Sequence, residues 1–185
     1  MSDRIAVMSR GAVEQVSSPA ELYERPTSVF VANFIGVSNV YRSRVMAVTG
    51  GVAECLTDAG LRVLASRDAS DRVRVGDSVG VVVRPEKILI GAPDGPAAAA
   101  GCENVFPGTI KTVVYVGPVT QFVVDLGGRC LAQVLQQNLA SGSRARWREG
   151  QTVSVSFAAR SCSLIRELDE GLADEDLMGE VVRRL

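Results

Sequence analysis

Short valine-rich runs, separated by glycine-containing turns, succeed one another from residue 39 to residue 165 and constrain this fold more than any other feature. Valine and other β-branched residues favour pleated strands, and closely spaced turns of this kind join antiparallel neighbours. Many short strands indicate a barrel or sandwich, so we predict a mainly β fold. The predicted strands are 41–48, 51–56, 61–65, 78–83, 87–90, 105–116, 120–126, 130–135, 152–158 and 163–165.

The two parts of this β region resemble each other. The turn and strand at 74–79, Arg-Val-Gly-Asp-Ser-Val, parallel Arg-Glu-Gly-Gln-Thr-Val at 148–153, an offset of 74 residues. We interpret this as an internal duplication, with repeats at about 38–91 and 103–165 and a Pro/Ala/Gly-rich linker at 92–102. Two unrelated meanders that share the same turn residues are the alternative.

The first 37 residues have a different pattern. Two short strands, 4–8 and 12–16, flank Gly11, and a Ser-Pro-Ala-Glu capping box at 18–21 begins a helix that reaches Glu24. A second helix begins at Thr27 or Ser28 and ends at Gly36. A hairpin and two short helices expose more apolar surface than they bury alone. We therefore expect residues 1–37 to be the trailing part of a larger α/β domain, loosely packed or leaning on the barrel or on a second copy.

The composition excludes several kinds of site. The chain has no histidine, which excludes Ser-His-Asp triads and Cys-His pairs, and its two lysines, Lys87 and Lys111, do not follow glycine, which excludes a GxxxxGK[ST] phosphate loop. The four cysteines form no CxxC pair, so we expect reduced, buried thiols and no zinc ribbon. A net charge of -1 disfavours a general nucleic-acid binder. The tail at 166–185 carries seven acids and three arginines and is expected to be solvated.

The candidate functional residues are few. Arg84, Glu86 and Lys87 surround Pro85 at the end of a predicted strand, where they form either a structural salt bridge or an interface or ligand contact. Tyr115 lies at the end of a predicted strand and Gly117 in the tight turn that follows. This segment is either a plain hairpin or a second interface. We name these five as candidate regulatory or interface residues and assign no catalytic, cofactor-binding or metal-binding residue.

Several motifs together resemble one protein family. Met-Ser-Asp-Arg-Ile-Ala-Val-Met at 1–8, Glu-Gln-Val at 14–16, Tyr-Glu-Arg-Pro at 23–26 and Phe-Val-Ala-Asn-Phe-Ile-Gly at 30–36 resemble the end of the nucleotide-binding domain of bacterial ATP-binding-cassette import ATPases. Phe-Ile-Gly at 34–36 followed by Ser-Asn at 38–39 is most similar to the polyamine (spermidine/putrescine) branch. Arg-Pro-Glu at 84–86, Phe-Pro-Gly-Thr-Ile at 106–110 and Tyr-Val-Gly at 115–117 resemble its C-terminal regulatory region.

The resemblance implies an architecture and a set of partners. It implies an OB-like regulatory barrel of the TOBE/MOP type, related to molybdate-binding modules and built from two sequence repeats. The parent protein would be a homodimer that couples ATP hydrolysis to import, beneath permease subunits. It would be cytoplasmic, peripheral at the inner face of the cell membrane, with no nucleic-acid partner. ATP and magnesium would be cofactors of the parent and not of this chain.

The family's phosphate loop, signature motif, catalytic glutamate and switch histidine all precede the segment that this chain resembles, so none is assigned here. We therefore predict a non-catalytic regulatory and dimerisation part of an importer's ATP-binding subunit. One alternative is a free-standing barrel that binds a small ligand or a molybdate-like oxyanion through backbone N–H groups and Arg84 or Lys111. A single-stranded nucleic-acid binder is the third, disfavoured by the charge balance and the 5% aromatic content.

Overall fold

The computed structural model describes residues 2–67, 72–93, 101–138 and 147–166, and the predicted mainly β class is confirmed. Two α-helices, α1 (Pro19–Glu24) and α2 (Val29–Ile35), and two 3₁₀ helices (Pro85–Lys87 and Ala159–Ser161) accompany the strands. The strands are β1 (Ile5–Ser9), β2 (Ala12–Ser17), β3 (Asn39–Thr49), β4 (Val52–Thr57), β5 (Arg62–Ser66), β6 (Ser78–Val83), β7 (Leu89–Gly91), β8 (Asn104–Val116), β9 (Val119–Gly127), β10 (Cys130–Gln137), β11 (Thr152–Phe157) and β12 (Cys162–Ile165). None of the described helices is long and apolar enough to cross a membrane.

The N-terminal segment is an antiparallel β1–β2 hairpin packed against the two α-helices. Both hydrogen bonds of the predicted capping box form between Ser18 and Glu21, and α1 has the predicted bounds. The second helix begins one residue after its cap, Ser28, whose hydroxyl accepts a bond from the Val31 N–H. A small apolar cluster that includes Val31 fixes the helices on the hairpin.

A buried side-chain amide ties this segment together. The Gln15 Nε2 group donates to the carbonyl of Arg25 (3.1 Å), and its Oε1 atom accepts from the backbone N–H of Thr27 (2.9 Å). Gln15 lies on β2, whereas both partners lie in the turn between the helices. The first bond satisfies the carbonyl at the C-cap of α1, and the second satisfies a backbone N–H just before the cap of α2.

The remaining strands form two five-stranded antiparallel sheets with the same connectivity. The first sheet has the order β12-β6-β3-β4-β5 and the second β10-β9-β8-β11-β7. Each sheet therefore takes one edge strand from the other half of the chain: β7 pairs with β11, and β12 pairs with β6. One continuous apolar core lies between the sheets and contains side chains from both.

Matching turns occupy matching places in the two sheets. The Gly76 N–H donates to the carbonyl of Val45, and the Gly150 N–H donates to the carbonyl of Ile110, both at 2.8 Å. Both glycines have positive φ (92° and 80°), a conformation that side chains rarely adopt. The offset of 74 residues seen in the sequence thus relates two turns with the same hydrogen bonds.

The sequence places one strand slightly wrongly. The predicted strand 87–90 begins later, at Leu89, because Pro85 has no N–H to donate and starts a 3₁₀ helix instead. Most of the predicted linker at 92–102 and almost all of the acidic tail at 166–185 lie outside the described residues.

The cysteines are unpaired, as expected, and three of them are buried. Burial is the main cause that raises the pKa of the thiols of Cys55 and Cys130 to about 11 and that of Cys162 to about 12. Cys102 is only partly buried.

Because the thiolate is the reactive form, we expect one fast alkylation in the native protein, at Cys102. Iodoacetamide labelling near pH 8, followed by peptide mass mapping, should modify Cys55, Cys130 and Cys162 only after denaturant is added. Equal native rates at all four cysteines would contradict the described core.

A second prediction concerns a glycine in β8. A Cβ at Gly108 would lie 2.6 Å from Cγ1 of Val124 and 3.0 Å from the carbonyl oxygen of Asp125. Gly108→Ala should therefore lower the free energy of unfolding by about 1–3 kcal/mol in urea titration. Gly91→Ala in β7 is the matched control, because its Cβ would meet nothing within 4 Å. Equal losses of unfolding free energy in the two variants would show that the close approach of Gly108 to Val124 and Asp125 does not require glycine.

Candidate functional site

Arg84 is buried, with 3% of its surface exposed, at the point where β6 ends. The strand before it is buried along most of its length, and Pro85 directly after it prevents the strand from continuing. The side chain is thereby directed toward the N-terminal segment, where its hydrogen-bond partners lie.

The Arg84 guanidinium donates to backbone carbonyls in α1, in α2 and in the connection that leads from α2 to β3. Its Nη2 atom donates to the carbonyl of Tyr23 in α1 (2.9 Å), and its Nη1 atom donates to that of Ala32 in α2 (2.8 Å). The same Nη1 atom reaches the carbonyl of Val37 (3.3 Å) and the hydroxyl of Ser38, just before β3. One side chain thus connects both helices and the start of the first sheet.

Aromatic and acidic neighbours complete this cluster. The Arg84 Cζ atom lies 4.2 Å from the centroid of the Tyr23 ring, a cation–π contact. Burial lowers the pKa of Arg84, and the surrounding Tyr23, Glu86 and Glu24 partly oppose that change. The Tyr23 hydroxyl donates to Oε1 of Glu86 (2.6 Å). Burial, and then this bond, raise the pKa of Tyr23 to about 12.

Lys87 adds an exposed ion pair to the same contact. Its Nζ atom lies 3.4 Å from Oε1 of Glu24 at the end of α1. Arg84, Glu86 and Lys87 therefore all contact residues of α1. We call these three residues, with Tyr23 and Glu24, the Arg84 joint.

The other two candidate residues lie elsewhere, on the β8–β9 hairpin. Gly117 is in the turn with a φ of 62°, and its carbonyl accepts a bond from Nδ2 of Asn138 (2.7 Å). Tyr115 is 65% exposed, and the neighbouring Val114 and Val116 are exposed as well. Tyr115 and Gly117 thus belong to an apolar hairpin end and not to the Arg84 joint.

Sequence reasoning missed a pair of links between the sheets. Asn39 Nδ2 donates to the carbonyl of Gln133 (2.9 Å), and Asn39 Oδ1 accepts from the Gln133 N–H (2.7 Å). Asn104 makes the same two bonds with the backbone of Leu64, at 2.8 and 2.7 Å. Asn39 is the first residue of β3 in the first sheet, and it binds β10 of the second sheet. Asn104 is the first residue of β8 in the second sheet, and it binds β5 of the first sheet. The shared Asn-Val dipeptides at 39–40 and 104–105 were the available signal.

Neither lysine has the setting of a phosphate-binding residue in the part of the chain that the structure describes. Lys87 is paired with Glu24, and the Nζ atom of Lys111, on β8, lies 3.3 Å from Oδ2 of Asp125. No group of three or more cysteine, aspartate or glutamate side chains within the described ranges could hold a metal ion. A phosphate cradle needs a glycine-rich loop followed by lysine, and neither lysine has that setting.

Comparison with known proteins agrees with the resemblance found in the sequence. Residues 81–165 match the TOBE domain. The chain is 42% identical over 167 residues to the spermidine/putrescine import ATP-binding protein PotA of Rubrobacter xylanophilus, covering 89% of this chain and 41% of that protein. It is 34% identical to the protein of the same name from Treponema pallidum, covering 91% of this chain and 46% of that protein. The predicted resemblance is confirmed, and the chain spans less than half the length of these relatives.

A solved structure shares the fold. The cytoplasmic molybdate-binding protein ModG, solved with molybdate bound, superposes with a TM-score of 0.61 at 20% sequence identity. The match covers 70% of this chain and 96% of that one. This likeness confirms the OB-like fold that the family resemblance implies.

The contribution of the Arg84 joint to stability can be measured by substitution. Arg84→Gln removes most donors to the buried carbonyls of Tyr23 and Ala32, so we expect the free energy of unfolding to fall by about 2–4 kcal/mol. Because the lost bonds lie at the helices, limited proteolysis should also cut first within residues 19–37.

The matched control is Arg148→Gln, which neutralises an exposed arginine in a turn of the second sheet and should change stability by less than about 0.5 kcal/mol. Urea unfolding followed by circular dichroism measures both variants. A loss at Arg84 no larger than that at Arg148 would show that the joint does not hold the helices.

Proposed function

We propose that this chain acts as the non-catalytic regulatory part of the ATP-binding subunit of a bacterial polyamine importer. Residues 1–37 would be the last part of a nucleotide-binding domain, residues 38–165 a TOBE-type barrel region, and residues 166–185 an acidic tail. One observation carries the proposal: the similarity to spermidine/putrescine import ATP-binding proteins runs through both the N-terminal segment and the barrels, over 89% of the chain.

The Arg84 joint supports a regulatory role for the barrels. Its hydrogen bonds fix both helices of the N-terminal segment to the end of β6. A displacement of those helices therefore cannot occur without breaking several buried bonds or moving the sheets with them. In a complete subunit, such a connection would transmit the position of the nucleotide-binding part to the barrels.

We also propose that the barrels provide contacts between two copies of the subunit. The hairpin end around Tyr115 and Gly117 exposes three consecutive apolar side chains, a composition suited to a protein interface. The subunit would meet the membrane only through permease subunits, at its inner face.

An oxyanion-binding barrel is the second candidate, and the fold shared with ModG favours it. The two basic residues named for that role are, however, already engaged. Arg84 donates to backbone carbonyls, and Lys111 pairs with Asp125. We therefore place this candidate behind the transport role.

A chimera tests the transport proposal. The part of the Rubrobacter xylanophilus protein that precedes the matched region would be joined to residues 1–185. The chimera should restore spermidine uptake in cells that carry the matching permease and lack its ATP-binding subunit. The isolated chain should show no magnesium-dependent ATP hydrolysis above buffer, because it lacks a phosphate loop.

The controls separate the two candidates. In the chimera, Arg84→Gln should reduce uptake at least fivefold while Arg148→Gln leaves it unchanged. A chimera that folds and binds ATP but supports no uptake would contradict the transport role. Stoichiometric molybdate binding by the isolated chain in calorimetry would favour the oxyanion-binding role instead.

A further inference from the structure

Gln133, on β10, has a buried side-chain amide that no other protein group bonds. The residue is fully buried, and neither its Oε1 nor its Nε2 atom forms a hydrogen bond with any residue that the structure describes. An amide carries two donor hydrogens and an acceptor oxygen, so all of this capacity is unused. The backbone of the same residue is bonded twice by Asn39, which fixes its position. Burial of the amide therefore raises the free energy of this arrangement.

The surroundings of this amide are apolar. Ala132 and Val134 belong to the core between the sheets, so the alternation of a strand places Gln133 on the opposite face of β10. Its cross-strand partner on β9 is Val123, which is buried as well, and the next residue along that face is Leu135. A water molecule held inside a protein makes about three hydrogen bonds, and these apolar neighbours offer it none from their side chains.

The equivalent place in the first sheet shows that the fold does not require an amide here. Asn104 bonds the backbone of Leu64 on β5 in the same way as Asn39 bonds that of Gln133. Each of these strands also lies beside a 3₁₀ helix, β5 beside the second and β10 beside the first. Leu64 is only half-buried, whereas Gln133 is fully buried, so the more polar side chain occupies the drier place.

The amide lies next to the Arg84 joint. Nδ2 of Asn39 donates both to the carbonyl of Gln133 (2.9 Å) and to the carbonyl of Val83 (3.3 Å), the residue that precedes Arg84. The first 3₁₀ helix follows Arg84 directly, lies against β10 and carries the two charged residues that contact α1. The second sheet therefore meets the joint at the strand that carries the unfavourably buried amide.

We propose that Gln133 makes the contact between β10 and the first 3₁₀ helix a local opening site beside the Arg84 joint. When the helix moves away from β10, water reaches the amide and forms the bonds that it lacks in the closed arrangement. This gain offsets part of the cost of breaking the two Asn39 bonds. The opening therefore needs less free energy than the equivalent opening between Asn104 and β5.

The contacts around the opening site limit the motion. The Arg84 guanidinium keeps its bonds to α1 and α2, so the N-terminal helices remain attached to the first sheet. The motion is also short, because β7 follows the 3₁₀ helix closely and remains paired with β11. A displaced N-terminal segment thus moves with the first sheet, and the second sheet yields at β10. This inference concerns the flexibility of the chain itself and does not depend on the proposed transport function.

Native-state hydrogen exchange of the full-length protein tests the proposal, because matched N–H groups report on the two equivalent places. The N–H of Gln133 donates to Oδ1 of Asn39, and the N–H of Leu64 donates to Oδ1 of Asn104, both at 2.7 Å. After correction for intrinsic rates, we expect the Gln133 N–H to exchange about tenfold faster or more. A local opening exposes little surface, so this rate should change little in low concentrations of urea.

A substitution tests the cause of the difference. Gln133→Leu gives β10 the side chain that β5 carries at Leu64, so it should bring the two exchange rates to within about threefold and raise the midpoint of urea unfolding. Gln136→Leu is the matched control, because it adds the same side chain at an exposed place on the same strand and should leave both rates unchanged. Unchanged exchange of the Leu22 N–H verifies that each variant keeps its fold.

Three outcomes would overturn the proposal. The first is equal exchange of the Gln133 and Leu64 N–H groups in the wild type. The second is a urea dependence at Gln133 as steep as that of the core strands, because that would indicate global unfolding. The third is a lower midpoint of urea unfolding in Gln133→Leu, because the amide would then have a stabilising partner such as a bound water molecule.

Discussion

A buried guanidinium carries five N–H donors and is stable only where several acceptors converge on it. Arg84 finds them in the carbonyls at the ends of α1 and α2 and in the segment that enters β3. Lysine could not replace it, because an ammonium group lacks the planar fork and does not stack in the same way on the Tyr23 ring. This side chain acts together with an apolar cluster in which Val29 and Ala32 of α2 pack on the first sheet, and the two contacts hold the N-terminal segment in place.

Exchange of edge strands is the second constraint. Because β7 is an edge strand of the second sheet and β12 is an edge strand of the first, neither half of the chain supplies all five strands of its sheet. The asparagine links at Asn39 and Asn104 lock the two sheets at equivalent places. The two sheets therefore share a single core, and the helices are attached to the first sheet by the Arg84 joint and by the apolar contacts of α2.

Local patterns in the sequence predicted the local structure well. The capping box gave the bounds of α1, and valine runs with glycine turns gave most strands to within one or two residues. The exchange of β7 and β12 could not be predicted in this way, because pairing between distant strands leaves no local pattern. The sequence also indicated a contact at Arg84. Its main partners could not be predicted, because they are backbone carbonyls, which every residue type carries. The sequence did not predict that Tyr115 and Gly117 would lie near Arg84, and in the structure they lie on the β8–β9 hairpin instead.

The central claim is that the N-terminal helices are held on the sheets by buried bonds and behave as part of one unit. Native-state hydrogen exchange of the dilute, full-length protein tests it most directly. The N–H groups of Leu22 and Ala32, which donate to the carbonyls of Ser18 and Ser28 at 3.0 Å, report on the two helices. We predict that they exchange only through openings nearly as costly as those of the core strands. Exchange of both at the rate of an unstructured peptide, while β3 and β6 stay protected, would contradict the account.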